Sequence, residues 1–527
     1  MKKYQYLLLA AIAVGLTSCE PEFDNEISNG TYSAGESDFS RYVAVGNSLT
    51  SGYMDGTMYR TGQQYSFPNL LAKQFAIVGG GEFTQPSYAD DINDLGGLLL
   101  GGNKIANTRM IINMSTGGPQ NLAGTPTIEV GQLQQKAFNN MCVPGAKSFH
   151  LLAPGYGNIQ GVALGQANPY FVRMATSPNA TVLADALSMN PTFFTNWIGS
   201  NDVLAYALSG GTGVNQQGNY DPSTYGGNDI TDPNVFAQVY STITNGLTAN
   251  GAKGVVATIP YVTSIPHFTT VPYNPLTTEA LGGTQVVGQL NELIIKLKAA
   301  LTYLGAGDRV QTFSTSAANP LLIKDETLPN LSTQLTAVLS QDPQFSQLAP
   351  ILGQIYGQAR HAKSTDLFVL GTSSVIGTTS TAATIANLPA QYQAMFGKMG
   401  VTYPLEDMYT LVPQEQQEIK EATDTFNSTI KSIAASKGLA VADMNAILNQ
   451  LVSGIRVADG QIYTANYFQG IGNMNVVLFS LDGVHPNPRG YALVTNEIIQ
   501  VINKHYKSSL PLYVPGNFPG VTIKVSN

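Results

Sequence analysis

Charge is what this chain has least of. Only 11% of its 527 residues are Asp, Glu, Lys or Arg, against roughly 25% in an average soluble protein. The balance is acidic, with a formal net charge of −8, and no stretch clusters Lys and Arg. Nucleic acid demands clustered cations to neutralise its phosphates, so it is excluded as a partner. Cysteine is almost as scarce. Cys19 and Cys142 are the only two, too few for a cysteine-ligated metal site and enough for one disulfide at most. There is a single Trp, and no stretch approaches the roughly 18 uninterrupted apolar residues of a membrane-spanning helix. What abounds is Gly, at 53 residues, with 26 Tyr and 20 Phe. This describes a folded, loop-rich chain with a polar but weakly charged surface.

Lys2 and Lys3 precede a short apolar run, Leu7 to Val14, that ends at Leu16-Thr17-Ser18-Cys19. The pattern is that of an export signal, too short to span a bilayer comfortably. Its end resembles the lipobox of bacterial lipoproteins. The resemblance implies a signal peptide over 1–18, a Cys19 thiol that accepts a diacylglycerol, and anchoring at the outer membrane on its periplasmic or outer face. Several acyl chains together give stable anchoring without a membrane-spanning helix. A plain secretory signal with a coincidental Cys is the alternative. With Cys19 so modified, Cys142 has no disulfide partner and is expected to be a small buried apolar residue. Residues 19–40 are acidic and then small and polar, a composition that cannot bury a core, so a flexible tether is expected. Its acidic start also resembles surface-export signals of Bacteroidetes lipoproteins, although simple solvation explains it equally well.

Beyond the tether, β-rich runs end repeatedly in Gly, Asn or Pro. They are Tyr42–Val45 before Gly46, Phe138–Val143 before Pro144-Gly145, Thr192–Ile198 before Gly199, Gly254–Ile259 before Pro260, and Leu439–Ala442 before Asp443. Near-continuous apolar runs of this kind suit strands covered on both faces. Between them, Ile419, Ala422, Phe426, Ile430 and Ile433 recur at helical spacing, and Phe67 to Phe75 reads as a helix with Pro68 in its first turn. Strands alternating with helices indicate a parallel α/β sheet. Residues 79–130 show little periodicity and are expected to be a long ordered loop region. An insertion spans about 267–405. Within it Leu331, Leu335, Val338, Leu339 and Leu348, Ile351, Leu352, Ile355 predict a helical hairpin, with Asp342-Pro343 as cap and first turn of its second helix. Its apolar face either packs on the core or forms a lid or acyl-binding wall. Residues 506–527 read as a C-terminal tail.

Candidate chemistry begins at Gly46-Asn47-Ser48-Leu49, a serine just past a strand end, where open α/β sheets bind ligands. Alone it means little, because most such serines merely cap helices. A hydroxyl nucleophile needs a base, and the base needs an acceptor that holds its tautomer. Of the histidines 150, 267, 361, 485 and 505, only His485 has a carboxylate, Asp482, three residues upstream in a Gly/Pro-rich turn.

Taken together, Gly46-Asn47-Ser48-Leu49, the Asn140–Gly145 block, Gly199-Ser200-Asn201-Asp202 and Asp482-Gly483-Val484-His485-Pro486 resemble, in order, the conserved blocks of SGNH/GDSL hydrolases. The resemblance covers 41–265 and 410–505. It implies a flavodoxin-like three-layer α/β/α domain over 41–505 that carries the insertion. It also implies a serine esterase that works through an acyl-enzyme, with no metal and no cofactor. In that reading Ser48 is the nucleophile, His485 the general base and then acid, and Asp482 its partner. The N–H groups of Ser48 and Gly145 and the amide of Asn201 form the oxyanion hole. The family usually has Asp where this chain has Asn47, and Asp202 reads as a supporting or helix-capping group. Carboxylic esters of lipids or small molecules are the expected substrates. A carbohydrate O-deacetylase is the alternative, with Tyr53, Tyr59 and Tyr65 available to stack on sugars. A binding lipoprotein without turnover is the reading from another class.

Overall fold

The apolar runs assemble into one sheet. In chain order its strands are β1 (Tyr42–Gly46), β2 (Asn140–Cys142), β3 (Phe193–Trp197), β4 (Lys253–Ala257) and β5 (Ala440–Ala442). All pairs are parallel, in spatial order β2-β1-β3-β4-β5. The structure, a computed structural model, describes residues 32–457, 460–470 and 472–524. The signal segment, Cys19 and the tether up to residue 31 lie outside the described residues.

Helices α1 (Ser48–Ser51), α2 (Phe67–Ile77), α3 (Asn201–Leu208), α4 (Pro233–Thr248), α7 (Pro413–Lys437), α8 (Met444–Ser453) and α9 (Pro488–Tyr506) accompany the sheet, and the insertion carries α5 (Ser332–Leu339), α6 (Ala349–Tyr356) and the 20-residue helix Thr284–Tyr303, among shorter pieces. Side chains alternate across a strand, so β1 feeds two cores. Val43 and Val45 join Phe194, Val256 and the inward stripes of α3, α4 and α7. Tyr42 and Ala44 join Phe193, Trp197, Val255 and the stripes of α2 and α9. Helices therefore cover both faces, and that is why the strands carry no polar alternation. Cys142 is a free buried thiol, and burial pushes it up to about 12. Among the described residues no helix is long and apolar enough to cross a membrane.

The structure departs from the sequence reading in several places. Residues 79–130 hold two antiparallel ribbons, Leu98–Leu100 with Asn103–Ala106 and Met110–Asn113 with Gly118–Asn121. Their partly exposed strands carry no apolar period. The tether ends earlier than residue 40, since Phe39 stacks on Phe75 at 3.9 Å and Glu36 N–H donates to the Tyr506 carbonyl at 2.7 Å. The C-terminal segment is no free tail. Ile523–Lys524 pairs with Ile112–Asn113, and the Tyr513 hydroxyl donates to the Leu70 carbonyl at 2.9 Å.

The insertion buries a core of its own, drawn from residues 271 to 412. The expected helical hairpin is there as α5 and α6, but α6 begins at Ala349 with Pro350 in its first turn. Asp342 instead closes a turn between the helices, accepting from Gln344 N–H at 2.8 Å. Leu335, Leu339, Leu352 and Ile355 pack into the insertion core, and none lines the cavity at Ser48. Of the two readings packing holds, on the insertion's own core, and the lid or acyl-binding wall does not. Inside the insertion Arg360 lies between two carboxylates, Nε to Asp325 at 2.6 Å and Nη1 to Asp366 at 2.7 Å. All three side chains are at least nine-tenths buried. Removing one partner of such a group strands a buried charge, so Arg360→Leu is expected to lower stability by about 3–5 kcal/mol. Urea unfolding followed by circular dichroism checks this, and Arg360→Leu with both aspartates replaced by Leu should recover most of the loss.

Candidate active site

The site starts from one steric fact. At the end of β1, a Cβ on Gly46 would lie 2.0 Å from Thr50 Oγ1 and 2.7 Å from the Trp197 carbonyl oxygen. Only glycine lets the chain turn there. Asn47 then caps α1 by accepting from Leu49 N–H at 3.2 Å, which places Ser48 in the first helical position. The Asn47 Nδ2 is buried with no partner, a donor that an aspartate would not carry. In register, Gly46 lies level with Cys142 of β2 and Trp197 of β3. The loops carrying Ser48, Gly145 and Asn201 therefore emerge side by side, where the strand order reverses and α/β sheets bind ligands.

The second half of the site comes from the loop before α9. Ser480 N–H donates to the His485 carbonyl at 2.7 Å, and Gly483 N–H donates to the Ser480 carbonyl at 3.0 Å. This tight turn folds Asp482 back on His485. Asp482 Oδ1 accepts from the N–H groups of Val484 and His485, each at 2.8 Å. Its Oδ2 accepts from Gly56 N–H at 3.0 Å and lies 2.9 Å from His485 Nδ1. The other ring nitrogen, Nε2, is 2.8 Å from Ser48 Oγ. A carboxylate at Nδ1 holds the ring proton there, leaving the Nε2 lone pair for the serine hydroxyl. Burial opposes the Asp482 charge, but the His485 imidazolium and these N–H donors outweigh it and bring the carboxyl down to about 2. The Tyr53 ring packs against His485 at 4.7 Å between centroids.

On the other side of Ser48, Asn201 begins α3. Its Nδ2 donates to the Ala146 carbonyl at 2.9 Å, which spends one amide hydrogen and leaves the second. Next to it, Asp202 accepts from the N–H and the hydroxyl of Ser148, both at 2.8 Å. Burial raises the Asp202 carboxyl against these bonds. The pair ties the 143–148 loop to α3, and Asp202 has the supporting place expected of it. Gly145 turns this loop at φ +81° with open space around it, the nearest atom to a Cβ being Asn168 Nδ2 at 3.8 Å. Among the described residues neither the Ser48 nor the Gly145 N–H has a protein acceptor. Ser48, Asn201 and His485 line one cavity, whereas Gly145 is exposed on the solvent side of the same loop cluster.

The structure thus brings Ser48, Asp482, His485 and Asn201 together, with Gly145 at their rim. The arrangement can deprotonate a hydroxyl and hold donors beside it. The remaining histidines bond elsewhere: His150 to Lys147 N–H, His361 to Gln311 N–H, and His505 to the Gly438 carbonyl. His267 is different. Its N–H donates to the Gly483 carbonyl at 2.9 Å and its Nδ1 lies 3.1 Å from the Asp482 carbonyl. It braces the turn from behind, and nothing in its sequence surroundings announced that. Asp55 was missed as well. At φ +54° it accepts from Leu481 N–H at 3.1 Å and from the Tyr59 hydroxyl at 3.0 Å. Burial first, and then the nearby Asp482 charge, push its carboxyl up to about 6. Tyr59 is therefore buried rather than available to a sugar, and Tyr65 packs on Phe518.

A carboxyl held near 2 stabilises the fold above its unfolded value, about 3.8, and that contribution is lost as pH falls through about 2. Asp482→Asn is expected to remove about 2 kcal/mol of pH-dependent stability. Denaturant unfolding between pH 5 and pH 2 should give a flatter curve for the variant than for the wild type. Set against known proteins, the chain matches no protein family, no curated protein and no solved structure significantly.

Proposed function

We propose that this protein is a serine hydrolase of carboxylic esters, of the SGNH/GDSL kind, with a flavodoxin-like α/β/α core. One observation carries the reading: the unbroken chain Asp482–His485–Ser48, at 2.9 and 2.8 Å, beside a cavity that Ser48 and His485 line. His485 Nε2 takes the Ser48 proton as Oγ attacks the ester carbonyl. The imidazolium so formed is supported by Asp482 and hands its proton to the departing alcohol. Water, deprotonated by the same nitrogen, then releases the acid from Ser48. Negative charge on the tetrahedral oxygen is met by the free N–H groups of Ser48 and Gly145 and by the second hydrogen of Asn201 Nδ2. Such a donor, preorganised in a dry site, is worth roughly 3–4 kcal/mol in the transition state.

The carbohydrate deacetylase alternative keeps one of its three tyrosines, Tyr53 beside His485, and has less support because Tyr59 is buried and Tyr65 lies against Phe518. A binding protein without turnover would have no use for a hydroxyl aligned with an Asp-supported imidazole. Anchoring at the outer membrane through Cys19 goes with the proposal. Metabolic labelling with radioactive palmitate should mark the wild type and not Cys19→Ser.

Purified protein is expected to hydrolyse p-nitrophenyl butyrate and to be labelled by a fluorophosphonate. Ser48→Ala should lose both while keeping its melting temperature. Asn201→Ala should lower kcat by about 10²–10³-fold, and Asp482→Asn by about 10⁴-fold through loss of the tautomer. Absence of both turnover and labelling in folded wild-type protein would sink the proposal.

A further inference from the structure

Away from Ser48, a second and larger cleft opens on the insertion. Its volume is about 590 Å³ against about 110 Å³ for the cavity at Ser48, and no residue lines both. That size falls within the roughly 300–1,000 Å³ of small-ligand sites. Its walls are the strand Leu322–Lys324, the turn into α5, the C-terminal end of α6 and the segment 403–408, with Thr212 from beyond α3. They are fixed to one another. Lys324 N–H donates to the Leu405 carbonyl and Leu405 N–H to the Leu322 carbonyl, both at 2.9 Å. The Tyr356 hydroxyl donates to the Thr402 carbonyl at 2.6 Å. A Cβ on Gly210 would lie 2.2 Å from the Asp407 carbonyl oxygen, so the turn after α3 runs directly against the 406–408 turn. A ligand meets a preformed surface here, with little ordering left to oppose binding.

Every lining residue except Ile355, Pro404 and Met408 carries a polar side chain, and much of that polarity is unspent within the protein. Among the described residues the Gln354 amide and the carboxylates of Glu406 and Asp407 have no hydrogen-bond partner. Asn330 uses its Oδ1 on Ser332 and keeps both Nδ2 hydrogens. Gln358 Nε2 donates to the Leu328 carbonyl at 3.0 Å, which leaves its Oε1 free. Burial first, and then the Glu326 charge, push the Asp407 carboxyl up to about 6, as befits a carboxylate short of donors. Lys324, the one cation in the lining among the described residues, is paired with Glu326. Beside these groups the half-buried Tyr403 ring and the exposed Met408 present carbon.

We propose that this cleft binds a neutral oligosaccharide. Hydroxyl groups both donate and accept, so a sugar pairs with the Asn330 amide hydrogens and with the Glu406 and Asp407 carboxylates alike. The C–H face of a pyranose ring is apolar and suits the flat Tyr403 ring. A hydrocarbon chain would strand the amides and carboxylates it covered, and an anion would meet two carboxylates and no free cation. The assignment stands independently of the ester-hydrolase reading. It keeps the protein on a glycan whatever bond Ser48 attacks.

The test is calorimetric titration of the full protein with xylotetraose, mannotetraose and N-acetylchitotetraose. At least one is expected to bind with a Kd in the millimolar range or tighter. Tyr403→Ala should weaken that binding at least tenfold, and Gln354→Ala at least threefold. Gln354 is exposed and bonds to nothing in the protein, so its variant keeps the fold, which circular dichroism checks. No binding of any of the three sugars, or binding unchanged in both folded variants, would overturn the proposal. Equal or tighter binding of the anionic tetragalacturonate would overturn the neutral class. Binding of tetralysine in place of the sugars would assign the carboxylates to a cation and overturn it as well. Turnover of p-nitrophenyl butyrate, or its absence, bears on Ser48 alone and leaves each of these outcomes as it stands.

Discussion

Everything at the site depends on hydrogen bonds between two turns about four-fifths of the chain apart. Gly56 N–H reaches Asp482 Oδ2 at 3.0 Å across 426 residues. Beside it Asp55 N–H donates to Ser480 Oγ at 3.0 Å, and Leu481 N–H donates back to Asp55 at 3.1 Å. The Tyr491 hydroxyl adds a bond to the Tyr53 carbonyl at 2.8 Å. These groups are buried or nearly so, where each hydrogen bond is stronger and each unmade one costs more than in water. The turn after Ser48 and the turn carrying Asp482 and His485 are thus held as one unit. That unit sets the distance from His485 Nε2 to Ser48 Oγ.

The opposite side of the serine is fastened by the same means. Asn201 and Asp202, adjacent at the start of α3, grip the 143–148 loop through Ala146 and Ser148. Behind that loop, Lys147 Nζ donates to the Asp229 carbonyl at 2.6 Å, and burial lowers its affinity for a proton. A polar layer therefore underlies the Asn201 side of Ser48, while the cavity lined by Ser48 carries no charged side chain. The contrast matters physically. Donors fixed on a polar scaffold need no reorganisation when charge develops beside them, whereas the cavity wall carries no Asp, Glu, Lys or Arg.

The insertion bears on this site through contact rather than coverage. Its helical hairpin is absorbed in a core of its own, yet its first residues touch the turn that carries Asp482 and His485. His267 bonds to both Gly483 and Asp482, and a Cβ on Gly483 would come within 3.2 Å of Leu370. The insertion acts as a brace. A sequence pattern reports that a helix has an apolar face, and it leaves open which surface receives that face; this is why α5 and α6 were legible as helices while packing and a wall both stayed open.

The strands, the long helices and the four short motifs could be read directly, because each rests on local rules. A continuous apolar run reports two covered faces, a 3.6-residue stripe reports a helix, and Gly46 and Asn47 report a strand end followed by a cap. The ribbons within 79–130 escaped because their exposed strands carry no period. Asp55, Gly56 and His267 escaped because their roles are hydrogen bonds to a turn more than 200 residues away. What the sequence by itself determined was the kind of sheet and the candidate groups, Ser48, Asp482, His485 and Asn201, that the fold brings together. Only the tertiary structure decided their distances and the cavity beside them. Strand order, register and the meeting of distant turns set those, and no local pattern encodes them.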